Sequence, residues 1–213
     1  MTRKDRTGNR KSREQQRKFK KPELGYYLIV TDTEGTERCF FEGLHANLPD
    51  DIKDKIVIKV VETKTRKMID KCIEMTSYEA QYRIPWIIFD RDQVQGFDEI
   101  IKEAERKGIK VGWSNPCFEI WLYAYFGAMP AIYESWTCCS EFGRIYEKKT
   151  EQKYSKVDEQ MYSRICKTGD EDKAIRIAKQ KLEQCIREGK EKPSDMCPGT
   201  TVYELVEEIN SNK

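Results

Sequence analysis

Histidine is nearly absent from this 213-residue chain: His45 stands alone, which excludes a histidine-rich metal site. No apolar run approaches the roughly 20 residues that span a bilayer. The N-terminus is basic but lacks the apolar stretch of a secretory signal. These absences point to a soluble, cytoplasmic protein with no membrane partner. The eight cysteines form no CxxC pair and no zinc-type spacing. Without a signal peptide a disulfide framework is not expected, and scattered reduced thiols are. Only the adjacent pair Cys138 and Cys139 suggests redox chemistry. No internal repeat is present.

Charge is abundant, at 36% of residues against 38% hydrophobic, and it is unevenly placed. Residues 1–21 hold ten Lys or Arg against Asp5 and Glu14, a net of +8, and the remainder is mildly acidic at −6. An arm of that kind, with almost no apolar content, is expected to be disordered. It is either a solvated tail or a segment whose Lys18, Lys20 and Lys21 neutralise phosphates.

The body alternates strand-like and helix-like stretches. Tyr26 to Val30, Ile56 to Val61, Trp86 to Phe89 and Ile109 to Trp113 read as strands, with amphipathic helices between them. One of those helices is expected from Thr36 with Glu37 in its first turn, where the helix dipole favours an acid. Another spans 64–82, and a third begins at Phe97 and ends at Gly108. Alternation of this type implies right-handed crossovers and a mainly parallel sheet flanked by helices, an α/β fold of Rossmann-like layout. After Pro130 the pattern is helical, over 131–147 with Trp136 and Phe142, then 171–188 and 201–209. We therefore divide the chain into an arm (1–21), an α/β core (22–130) and a helical extension packed on it (131–213).

The chemistry gathers at strand ends. The unbroken apolar run Trp86 to Phe89 suits a strand buried on both faces, and it gives way at once to Asp90-Arg91-Asp92. Side chains alternate along an extended chain, so Asp90 and Asp92 can project together, where open α/β sheets bind ligands. Carboxylates so placed suit magnesium; a solvated strand-to-helix turn explains the triplet equally well. The first strand ends in Thr31-Asp32-Thr33-Glu34-Gly35-Thr36-Glu37, also rich in acids. In Ser114-Asn115-Pro116-Cys117-Phe118-Glu119, Asn115 suits a helix N-cap and Pro116 the first helical position. That helix carries Phe118, Trp121, Leu122, Tyr125 and Phe126 on one face. Glu119 then either faces the rim with Asp90 and Asp92 or is a surface acid near the helix dipole.

Together, Val30-Thr31 with its acidic turn and Thr36-Glu37-x-x-Phe40-Phe41, the strand into Asp90-Arg91-Asp92, and Ser114 to Leu122 resemble the RloB-like family. The stretch Cys197-Pro198-Gly199-Thr200-Thr201-Val202-x-x-Leu205-Val206 is similar to that family's closing segment. The resemblance covers most of residues 24–213. It implies a Toprim-like fold and an association with bacterial and archaeal defence loci. It also implies a glutamate after the first strand and a DxD after a later one, holding magnesium. Asp90 and Asp92 fill the DxD positions. The first acid departs from the pattern: ungapped alignment from Thr36-Glu37 places Asp32 there, and alignment on Glu-Gly places Glu34.

The resulting expectation is a magnesium-dependent nuclease, with manganese as a substitute, acting against phage or other foreign DNA or RNA. Asp32, Glu34, Asp90, Asp92 and Glu119 are the expected metal ligands, and Glu37 joins the catalytic acids. Asn115, Arg91 and the basic arm are the expected phosphate contacts. The alternative is a non-catalytic, metal-dependent nucleotide or nucleic-acid binding module working with a defence partner protein.

Overall fold

A computed structural model of the chain describes residues 26–32, 35–53, 57–78, 84–92 and 94–211. In chain order the elements begin with β1 (Tyr26–Thr31), α1 (Thr36–Ala46), the short α2 (Asp50–Lys53), β2 (Val57–Glu62) and α3 (Met68–Tyr78). A 3-10 turn, Thr65–Lys67, leads into α3. They continue with β3 (Ile84–Asp90), α4 (Phe97–Arg106), β4 (Lys110–Asn115), α5 (Glu119–Tyr125), α6 (Ser135–Thr150) and α7 (Met161–Thr168). The last are α8 (Glu171–Arg187), β5 (Gly199–Thr200) and α9 (Val202–Asn210).

The strands form one sheet in the order β2-β1-β3-β4-β5, parallel except for β5, which runs antiparallel to β4. This is the mainly parallel α/β arrangement expected, with helices after residue 134 completing it. Burial explains the run at β3: Trp86, Ile87, Ile88 and Phe89 are all buried. Trp86 and Ile88 point into one core with Tyr27 and Ile29, and Ile87 and Phe89 into the other with Leu28 and Val30. A strand enclosed on both faces has no polar side to alternate with, hence its uniform apolar sequence.

The first core is rich in aromatic rings and is shared by α1 and by α5 to α9. Phe40 sits at its centre. Its ring makes edge contacts with Phe41, Phe118, Trp121, Tyr125 and Tyr162 at centroid distances of 5.2 to 6.3 Å. These contacts fasten α1, α5 and α7 to one another. The second core lies under α3 and α4, with Met68, Cys72, Phe97, Ile101 and Trp113.

Two local expectations are corrected. Asn115 ends β4 and does not cap a helix, the Asn115–Pro116 peptide is cis, and α5 begins at Glu119. Asn115 is drawn into the sheet because β5 pairs with it through Gly199, a two-residue strand after Pro198 that is too short for periodicity to announce. The helix expected over 64–82 starts at Met68, with the 3-10 turn ahead of it. Trp136 lies in the first turn of α6 but is 82% exposed, whereas Phe142 on the same helix is fully buried.

Truncating Phe40 would remove the one ring that touches all three helices. Phe40→Ala is expected to destabilise the protein by about 3–5 kcal/mol, the usual cost of emptying a buried aromatic site. Urea denaturation followed by circular dichroism measures it.

Candidate functional site

Parallel pairing sets the site. Thr31 of β1 lies opposite Ile88 of β3, and Asp90 opposite Ser114 of β4. Asp90 and Asn115, which end β3 and β4, and Asp32, just past β1, therefore reach the same edge of the sheet. From β1 the chain moves outward to β2, then crosses back to place β3 on the other side. The carboxyl ends of β1 and β3 thus flank the point where strand order reverses, the ligand-binding crevice of open α/β sheets. Helix α1 brings Glu37 and α5 brings Glu119 to that point, both buried.

Asp90 is the focus of the charge. Its Oδ1 is buried and has no hydrogen-bond partner. Burial, then the negative charges of Glu37, Glu119 and Asp32, push its carboxyl well above the ordinary value of 3.8; the Phe118 backbone N–H opposes them. Asp32 is half-buried and accepts from Thr65 Oγ1 at 3.1 Å. Burial outweighs that bond and raises its pKa as well, with Asp92 adding to the effect. Asp92 itself is exposed.

Glu119 shows the opposite outcome. Although it is completely buried, its carboxyl lies below the ordinary range. Burial works against ionisation, but the Lys156 ammonium lies 3.4 Å from Oε1 and Tyr154 Oη donates to the same oxygen at 2.7 Å. Thr36 Oγ1 adds a longer bond at 3.3 Å. Bonds to a charged group contribute about 1.5–3 kcal/mol each, so together they offset a burial penalty of several kcal/mol. The other oxygen, Oε2, is buried without a hydrogen-bond partner.

The Asp90-Arg91-Asp92 turn is held from behind. Arg91 N donates to Ser114 O at 2.7 Å and Asp92 N to Pro116 O at 3.1 Å. Arg91 folds back on this turn, donating to the carbonyls of Asp92 and Val94 and lying over the Phe97 ring. Asn115, expected to meet a phosphate, donates instead to Pro193 O at 3.2 Å and Ser194 O at 3.1 Å. Arg91, Asp92 and Asn115 nevertheless line one cleft of about 330 Å³ with Tyr133, Ser135, Ser194 and Cys197. Glu34, Lys18, Lys20 and Lys21 lie outside the described residues.

Other contributors were not apparent from sequence. Lys64, Arg66 and Lys67, just beyond β2, line a second cleft of about 600 Å³ with Val94 and Gln95, adjoining the Thr65–Asp32 bond. The basic run at a strand's carboxyl end was the available signal, hidden by its assignment to a helix. Tyr154 and Lys156 come from the irregular segment between α6 and α7, which carries no periodic signal at all.

Several carboxylates around two buried, unpartnered oxygens make a donor set suited to a hard cation. Among the described residues, however, the three-ligand group whose donor atoms lie within 4.8 Å of one another is Cys117, Glu119 and Cys139. The Asp32, Glu37, Asp90 and Asp92 carboxylates surround the crevice at wider spacing. No helix among the described residues is long and apolar enough to cross a membrane. The sequence model of the family described as RloB-like protein matches residues 27–209. No curated protein and no solved structure matches the chain.

The raised Asp90 pKa has a thermodynamic consequence. The folded protein holds this proton to higher pH than the unfolded chain, so stability falls as pH rises from about 4 towards the folded pKa. Asp90→Asn removes that loss. In chelator at pH 8 the variant is expected to be more stable by about 0.5–2 kcal/mol, and the difference should vanish below about pH 4. Denaturant melts across that range provide the check; equal stability at pH 8 would contradict the assigned burial of charge.

Proposed function

The chain belongs to the RloB-like protein family, and on that premise we propose that it is a magnesium-dependent phosphodiesterase acting on foreign nucleic acid. The observation that carries this reading is Asp90 Oδ1, buried and unpartnered among Glu37, Glu119 and Asp32. A carboxylate raised in energy by its neighbours gains most from a cation, which removes the repulsion at its source. Asp90, Asp32 and Asp92 would hold magnesium, or manganese in its place, and Glu34 is the alternative ligand at the first position. When bound, the cation supplies charge neutralisation at a scissile phosphate and acidifies water.

The chain's own groups divide the remaining work. Glu37, buried and felt by Asp90, would take up or return a proton at the attacked phosphate. Thr65 fixes the orientation of Asp32. Lys156 and Tyr154 keep Glu119 ionised, so that its charge is available at the crevice. Lys64, Arg66 and Lys67 supply a basic wall for the phosphates on either side of the one attacked, and the N-terminal arm adds salt-sensitive affinity.

A binding module without turnover is the second reading. It is favoured by the first acid, Asp32, which is one methylene shorter than the family's glutamate and already bonded to Thr65. Such a module would present a metal-held nucleotide or nucleic-acid end to a partner protein.

Cleavage of single- and double-stranded DNA and RNA, in magnesium, manganese or chelator, separates the two. Asp90→Asn is expected to cut the metal-dependent rate by at least about 100-fold, beyond the usual loss at an outer-shell partner. If wild type and an Asp90→Asn/Asp92→Asn double variant cleave alike, the catalytic reading fails; tight binding without turnover selects the module. Replacing Lys64, Arg66 and Lys67 by Ala should weaken duplex binding and flatten its log–log salt dependence by about 2–3, near 0.9 per phosphate contact. Fluorescence anisotropy against salt reads this slope.

A further inference from the structure

Cys117, Cys139 and Glu119 lie together behind the acidic crevice, and phosphodiester chemistry gives the two thiols no role. Cys117 follows Pro116 at the end of β4, and Cys139 sits in the second turn of α6. Their sulfurs are 3.8 Å apart, and a Glu119 carboxylate oxygen completes a triangle whose corners are all within 4.8 Å of one another. We propose that these three side chains form a thiolate–carboxylate site for a borderline-soft divalent cation such as zinc, separate from the magnesium crevice.

Geometry is the first support. Two thiolates bound tetrahedrally at about 2.3 Å to one zinc stand about 3.8 Å from each other, and a carboxylate oxygen bound at about 2.0 Å stands slightly closer to each. A disulfide would need the sulfurs at about 2.05 Å. Two thiols in simple contact can also sit 3.8 Å apart, so the third donor decides. Glu119 is completely buried, and its Oε2 has no hydrogen-bond partner. A hydrogen-bonded thiol pair has no need of a buried carboxylate with an uncommitted oxygen.

Charge balance is the second. Zinc and the Lys156 ammonium together carry three positive charges. Two thiolates and the Glu119 carboxylate carry three negative ones. The assembly is neutral, which a buried site requires. Lys156 is also the access route: its side chain is 59% exposed, so it can move aside while the cation enters and then return to Glu119. Without metal, both thiols are held protonated. The Cys138 thiol leads for Cys117 and burial adds to it, with the Cys139 bond opposing them, whereas the bond with Cys117 leads for Cys139 and burial adds to it. Each bound cation therefore displaces two protons to solvent.

The site is also chemically distinct from its neighbour. Magnesium has little affinity for thiolates and prefers carboxylates such as Asp90 and Asp32, so the two positions sort cations by softness. Glu119 stands between them, its charge felt by Asp90 on one side and the thiols on the other. Zinc on the thiols would draw off that charge and lower the repulsion at Asp90.

Cobalt(II) titration of the full-length, reduced protein, with a non-thiol reductant and without oxygen, tests the proposal. One equivalent should produce a thiolate-to-cobalt charge-transfer band, release about two protons and be displaced by zinc. Cys139→Ser and Cys117→Ser should each weaken cobalt binding by more than 100-fold, beyond the roughly 10–100-fold of an outer-shell loss. Glu119→Gln should weaken it while keeping the band, and Cys166→Ser should leave it unchanged. In the wild-type chain, zinc should shield Cys117 and Cys139 from alkylation, read by mass spectrometry, so the answer does not depend on variants folding. Absence of the band, its survival in Cys117→Ser/Cys139→Ser, or oxidation to a Cys117–Cys139 disulfide with no cobalt uptake in reductant would overturn it. A magnesium carboxylate site gives no such band, so failure here is separable from failure of the phosphodiesterase reading.

Discussion

Hydrogen bonding between β1 and β3 forces acids together that electrostatics would keep apart. Once Thr31 pairs with Ile88, Asp32 and Asp90 must emerge from adjacent strands at one edge, whatever their mutual repulsion. The cost is borne by the interior: two aromatic and aliphatic cores hold β3 from both faces and leave it no freedom to slip. A one-residue slip would turn Trp86 and Ile88 towards the wrong core, a larger penalty than the repulsion it relieved. The fold thus stores an electrostatic conflict at the crevice and secures it with buried hydrophobic surface.

Two buried acids resolve that conflict differently. Glu119 receives Tyr154, Thr36 and Lys156, and remains ionised. Asp90 receives other carboxylates, and its proton is held more tightly. The contrast arises from what each helix or loop delivers, since both acids are enclosed by the same β3–β4–α5 framework. Lys156 and Tyr154 belong to the part of the chain after residue 130, so the charge state of the crevice is set by side chains remote in sequence.

How much was legible in the residues follows from the same distinction. β1 and β3 were readable because burial on both faces writes itself as an unbroken apolar run, and β4 from Ile109, Val111 and Trp113. The rim acids were readable because they follow those runs directly. β5 was not, since two residues in a Pro- and Gly-containing loop have no period; with it the role of Asn115 was lost, and an apparent cap proved to be a strand end. Trp136 was counted as helical apolar spacing, yet the residues of that helix that face the core are Cys138, Phe142 and Tyr146. Glu119 could be placed near the crevice from its position after β4. Its ionisation state could not, because Lys156 lies in a segment with no pattern.

The bonds from Asn115 to Pro193 and Ser194 carry a consequence for how the protein is made. Asp98, at the start of α4, grips Ser194 as well, at 2.9 Å through the backbone and 2.6 Å through the hydroxyl. The cleft beside Asp92 is therefore walled by a stretch that leaves the ribosome some eighty residues after Asn115. Until that stretch arrives, the Asn115 amide and the Asp98 carboxylate lack these partners and the cleft lacks a side. A nascent chain thus carries its acids well before it carries the stretch that walls the cleft.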